Sequence, residues 1–199
     1  MRPMTSDAIP APVPPPAPEL AARAEQLYQE RARGIHVQAD HVFAGLLAVQ
    51  WLAGIAAALV LTPKTGVGAS SSVHVHVLTA ALLGGVIAAF PVFLALRRPG
   101  DVATRHAVAI GQMLAGALLI HLTGGRIETH FHIFGSLALL SFYRDWRVLV
   151  SATAVVLLDH GVRGFGHPLS IYGSPSVERW RWAEHGAWVV FEDVFLVWA

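Results

Sequence analysis

The second apolar segment of the chain reads Val73-His-Val-His-Val-Leu-Thr-Ala-Ala-Leu-Leu-Gly-Gly-Val-Ile-Ala-Ala-Phe-Pro-Val-Phe-Leu-Ala-Leu96. It contains no Asp, Glu, Lys or Arg, and a helix of roughly 20 such residues spans the hydrocarbon core of a bilayer. The whole chain agrees with this reading, because 54% of its 199 residues are hydrophobic and only 14% are charged. A soluble domain carries about a quarter charged residues, so the composition indicates an integral membrane protein.

Similar apolar segments occur along the rest of the chain, and they predict an all-α integral membrane bundle of about six transmembrane helices. An amphipathic helix over 19–40 and a disordered Pro/Ala-rich tail over 1–18 precede the membrane domain, which covers 41–199. Because the last segment ends while still apolar, we expect the chain to be truncated at its C-terminus. The six segments are 42–62, 73–96, 106–124, 129–143, 146–164 and 184–199.

The distribution of basic residues predicts the orientation of the bundle. An even number of crossings puts both termini on one side, and placing that side in the cytoplasm gives nine basic residues inside and five outside. The positive-inside rule therefore favours a cytoplasmic N-terminus in a multi-pass protein of the bacterial inner membrane. The formal charge of +1 gives no reason to expect a nucleic-acid partner, and none is predicted.

Histidines near the outer ends of five segments form the candidate site. Within about two helical turns of the outer boundary they lie at one depth, so a bundle would bring several together. Imidazole binds zinc, copper and iron, two facing imidazoles suit a b-type haem, and imidazole also titrates near neutrality. The candidate metal or haem ligands are His76, His121, Glu128, His130, His132, His160 and His185.

The spacing of these candidates leaves two readings open. His130 and His132 point about 200° apart on a helix, whereas Glu128 and His132 share one face and suit a metal pair. Interfacial histidines also anchor helix ends beside Trp and Tyr without binding anything. Polar residues proposed to support or relay the site are His74, Asp159, Glu192 and Asp193; acids inside a membrane are functional candidates, or else lock helix packing.

Three stretches carry a resemblance to a known class of protein. They are Gly111-Gln-Met, His121-Leu-Thr-Gly-Gly-Arg-Ile-Glu-Thr-His-Phe-His and Phe142-Tyr-Arg-Asp-Trp-Arg-Val-Leu. Over roughly residues 35–199 the chain resembles the multi-helix membrane input regions of bacterial signal-transduction receptors, which precede histidine kinase, diguanylate cyclase or chemotaxis modules. The resemblance implies a sensory role, a homodimer and a cytoplasmic output domain in cis beyond residue 199.

The leading hypothesis is therefore a membrane sensor whose outer histidine layer binds haem or a Cu, Zn or Fe ion, or responds to protons. The last helix would relay the signal to a kinase or cyclase. The alternative is a proton or metal transporter that uses the same histidines and acids. No enzymatic activity is predicted for residues 1–199, because the chain has neither the histidine boxes of di-iron oxidases nor a Gly-x-Ser-x-Gly turn.

Overall fold

The computed structural model describes residues 17–61, 64–67 and 70–198, without the side chains of the two strands. The chain divides into two compact units, Met1–Ala32 and Arg33–Ala199. Most of the predicted disordered tail lies outside the described residues, and the predicted domain boundaries stay predictions.

Helices make up nearly all of the described chain, which confirms the helical class. They are α1 (Pro18–Leu61), α2 (Val75–Arg97), α3 (Val102–Leu122), α4 (Ile127–Leu140), α5 (Trp146–Gly166), α6 (Leu169–Tyr172) and α7 (Arg181–Trp198), with a 3-10 turn at Ser141–Tyr143. One feature was not predicted: strand β1 (Lys64–Val67) pairs antiparallel with β2 (Ser70–Val73) between α1 and α2. The pairing satisfies backbone groups of a connection that is not helical.

The prediction of six transmembrane helices is wrong, because four described helices are long and apolar enough to cross a membrane: α1, α2, α3 and α5. Helix α4 has only 14 residues, which rise about 21 Å, less than the roughly 30 Å of the hydrocarbon core. Helix α7 has 18 residues and carries both basic and acidic side chains, namely Arg181, Glu184, Glu192 and Asp193.

Helix α1 is continuous through the point where the sequence predicted a change from an amphipathic to a transmembrane helix. Residues 17–31 are exposed on every side, so the predicted amphipathic character receives no support from a buried face. Pro18 is a favourable first helical residue, because its missing N–H would have no intrahelical partner there.

Helix α3 lies at the centre of the second unit, where it packs against α2, α4 and α5. Its close approach to α2 requires glycine, since a Cβ added at Gly111 would come within 2.8 Å of Pro91 Cγ. Large apolar side chains of α2 and α5 are exposed instead, among them Leu82, Val86, Leu158 and Val162. With four helices of spanning length, this exposed apolar surface identifies a membrane protein. The inner membrane and the cytoplasmic N-terminus stay predictions.

The turn between α3 and α4 gives a stability prediction, because its two glycines differ in surroundings. Gly124 and Gly125 both have positive φ, +70° and +75°, but only a Cβ at Gly125 would meet other atoms, at 2.6 Å from Ile171 O. We expect Gly125→Ala to lower the free energy of unfolding by about 1–3 kcal/mol more than Gly124→Ala, since both share the left-handed strain and only one overpacks. Denaturant titration of the two variants checks this, and equal losses would contradict it.

Candidate histidine site

Three of the predicted histidines come together, one from each of α4, α5 and α7. The ring centroids of His130 and His160 are 5.7 Å apart, those of His130 and His185 5.6 Å, and those of His160 and His185 5.8 Å. His130 and His160 are buried, and His185 is half-buried. We call His130, His160 and His185 the histidine triad; Tyr172 packs against its third member, with ring centroids 5.3 Å apart.

Each imidazole of the triad is held in the same way. The Nδ1 atoms of His130, His160 and His185 lie 3.0, 3.1 and 3.0 Å from the backbone carbonyls of the residues four positions earlier. A carbonyl only accepts, so each Nδ1 carries the proton and donates it, which leaves the lone pair of a neutral ring on Nε2. The buried Nε2 of His130 has no hydrogen-bond partner among the described residues. Histidines that bind a metal ion commonly have this orientation, because one ring nitrogen donates its proton to a carbonyl and the other is left to bind the metal.

The triad lines a cavity of about 240 Å³ whose other walls include Phe134, Val156 and Trp188. Two imidazoles that bind one tetrahedral ion through Nε2 at roughly 2.1 Å would have their centroids about 5.3 Å apart. The observed separations are a few tenths of an ångström wider. In agreement, no group of three or more His, Asp and Glu side chains in the described part of the chain is placed to hold a metal ion as it stands. The three rings would have to move for one ion to bind them together.

A second set of histidines lies at the start of α2 and the end of α3. The centroids of His74 and His76 are 4.5 Å apart, and those of His76 and His121 are 5.2 Å apart. His74 Nδ1 accepts the His76 backbone N–H at 3.1 Å and so caps α2. These three rings therefore form a second cluster, in which His74 also serves as the cap of α2.

Asp159 is occupied by an ion pair. Arg163 Nε donates to Asp159 Oδ1 at 2.7 Å, and Arg163 Nη2 also donates to Ala117 O at 3.2 Å. The arginine thus links α5 to α3 while it neutralises the aspartate. The carboxylate also lies 3.4 Å from His160 Nδ1, on the side of the ring away from Nε2. Asp159 therefore lies behind the His160 ring, where it is not placed as a ligand.

The remaining predicted site residues lie elsewhere. Glu128 is exposed in the first turn of α4, whereas His132 is bonded to Gln50 Nε2 at 2.9 Å. On α7, Asp193 accepts a hydrogen bond from Thr153 of α5. Glu192 Oε2 and Asp193 Oδ1 are buried without a partner among the described residues. These acids lie where α7 packs on α5, apart from the triad.

Sequence reasoning missed a buried polar network at the opposite end of the bundle. Asp40 accepts from Tyr143 Oη and from Gly100 N–H, each at 2.6 Å, and both Asp40 and Tyr143 are fully buried. Arg105 Nε donates to Asp145 at 2.9 Å. We call these residues the Asp40 network. Two features of the sequence could have indicated this network. One is Asp40, a charged residue in a helix that is apolar enough to cross a membrane, and the other is the turn Tyr143-Arg-Asp-Trp-Arg147.

The comparisons with known proteins give one informative match. The chain is 33% identical over 90 residues to the transducer protein Htr8 of Halobacterium salinarum, a stretch that covers 43% of this chain and 14% of that protein. No family model matches the chain, and no solved structure matches it significantly. The match supports a relationship to signal transducers, and it spans only a small part of the relative's length.

Proposed function

We propose that this chain is the membrane-embedded sensory input part of a signalling receptor, and that the histidine triad binds a transition-metal ion as its signal or cofactor. The match to a transducer and the four apolar helices support the first part. The observation that carries the second part is the shared hydrogen bonding of His130, His160 and His185, which leaves an Nε2 lone pair on each ring.

The size of the cavity favours an ion over haem. Clefts that hold cofactor-sized or drug-sized ligands measure roughly 300–1,000 Å³, and the cavity beside the triad is about 240 Å³. Three neutral imidazoles suit Zn²⁺, Cu²⁺ or Fe²⁺, with a fourth position left for water or a small molecule. No further observation favours haem binding, proton sensing by the same imidazoles or the transporter alternative.

The triad also offers a route for the signal. Binding one ion would draw the three rings together, and His185 lies on α7, the last helix of the described chain. Helix α7 packs along α5, where Thr153 holds Asp193. A shift at His185 would therefore move the far end of α7 relative to α5. In a homodimer, this shift would pass to a cytoplasmic output domain in cis.

A distance measurement tests the proposed function. The chain has no cysteine, so Val150→Cys on α5 and Val194→Cys on α7, both exposed, can carry spin labels selectively. In lipid nanodiscs we expect the distance distribution between the labels to change on addition of zinc and to return with a chelator. His185→Ala should abolish the change. Zinc that binds without altering the distance would contradict the relay, and absence of zinc binding would contradict the metal site.

A further inference from the structure

A second cavity lies among α1, α2, α3 and α4, away from the triad. Its volume is about 120 Å³, and two of its lining residues are strongly polar, Gln50 and His132. Trp51 also lines it, but the indole N–H already donates to Ala81 O at 3.1 Å. Small and apolar side chains form the rest of the wall, among them Leu47, Gly54, Ala80, Gly84, Ala115 and Leu118.

The hydrogen bonds of His132 leave Gln50 Oε1 as an unpaired acceptor beside this cavity. Gln50 Nε2 donates to His132 Nε2 at 2.9 Å, so the ring proton lies on Nδ1, which is 3.3 Å from Ser136 Oγ. Both ring nitrogens are then used. Gln50 Oε1 is buried and has no hydrogen-bond partner among the described residues. An unpaired buried carbonyl costs about 1–3 kcal/mol, so a donor placed beside Gln50 would be stabilised.

The size and walls of the cavity define the donor. An apolar cavity of about 150 Å³ admits benzene, and this one is only slightly smaller. We propose that the cavity binds a small uncharged molecule, no larger than one aromatic ring, whose single hydroxyl or N–H group donates to Gln50 Oε1. The site is independent of the metal proposal, because it shares no residue with the triad. It assigns to His132 the role of orienting Gln50.

Phenol and benzene are matched probes for this site, since they differ by one hydroxyl. In lipid nanodiscs, with binding followed by saturation-transfer NMR, we expect phenol to bind saturably and about tenfold more tightly than benzene, because only phenol pairs the carbonyl. Ala115→Leu should abolish binding by filling the cavity. Ala103→Leu, the same change at an exposed position of α3, should leave it intact. Gln50→Leu should make the two affinities equal.

Three outcomes would overturn the proposal. Non-saturable uptake that is the same in both leucine variants would mean partition into the bilayer. Absence of phenol binding would mean that the cavity does not accept a small hydroxyl donor. If phenol and benzene bound the unaltered chain with equal affinity, Gln50 Oε1 would not accept a hydrogen bond from the ligand. If Ala115→Leu fails to fold, the proposal is tested by the phenol and benzene affinities of Gln50→Leu alone. Zinc binding by the triad is expected to stay unchanged in every variant, so failure here is distinguishable from failure of the metal site.

Discussion

Replacing His130 by alanine is expected to weaken zinc binding about 100-fold or more, and His160→Ala and His185→Ala should have effects of the same size. Each change would remove one of the three nitrogen ligands of the proposed site, and even loss of a residue that only supports a ligand commonly costs 10–100-fold in affinity. The measurement is competition with a chelator of known affinity, on the protein in lipid nanodiscs. Elemental analysis of the same samples gives the stoichiometry, expected to be about one ion per chain.

Two other histidines serve as matched controls. His132 lies two residues from His130 but is bonded to Gln50, and His41 is exposed on α1. We expect His132→Ala and His41→Ala to bind zinc as the unaltered chain does. Equal loss in His132→Ala and His130→Ala would show that the His-x-His spacing binds the ion and that the triad does not.

Replacing Asp40 by alanine is expected to lower the free energy of unfolding by about 3–5 kcal/mol. The aspartate accepts both the Tyr143 hydroxyl and the Gly100 N–H in a fully buried setting. Its removal leaves the buried Tyr143 hydroxyl and the half-buried Gly100 N–H unpaired, and an unpaired buried donor costs about 1–3 kcal/mol. Unfolding by sodium dodecyl sulfate in mixed micelles, followed by tryptophan fluorescence, measures the change.

Three further variants separate the Asp40 network from general effects of charge. Tyr143→Phe removes one of the two hydrogen bonds and should cost about 1–2 kcal/mol. The double variant should cost less than the sum of the single ones, because the two side chains share one interaction. Asp101→Ala, at an exposed position whose side chain makes no capping bond, should be nearly neutral. A neutral Asp40→Ala would contradict the role assigned to the network.

Much of the fold could be predicted because the deciding signals are local. Apolar length alone indicated four of the helices that are long and apolar enough to cross a membrane, namely α1, α2, α3 and α5. It failed for segments four and six, where a short apolar run and a run with two acids were counted as crossings. The short hairpin between α1 and α2 was missed, since its residues have no clear alternation of polar and apolar side chains.

The histidine site was only partly predictable. Depth along the helices predicted that several outer histidines would meet, and the structure brings His130, His160 and His185 within 5.8 Å of one another by ring centroids. Depth could not tell the triad from the set formed by His74, His76 and His121, nor could it show that His132 turns toward Gln50. Asp159 was proposed as a supporting or relay residue, and its pairing with Arg163 at 2.7 Å became visible only in three dimensions.

By itself, the sequence determined that this chain is helical and belongs in a membrane, because apolar length and the near absence of charge act within single segments. The tertiary structure decided which polar groups share a site. A helix turns by about 100° per residue, so neighbours such as His130 and His132 face different partners. Which face meets which neighbour depends on the packing of other helices, and no single segment contains that information.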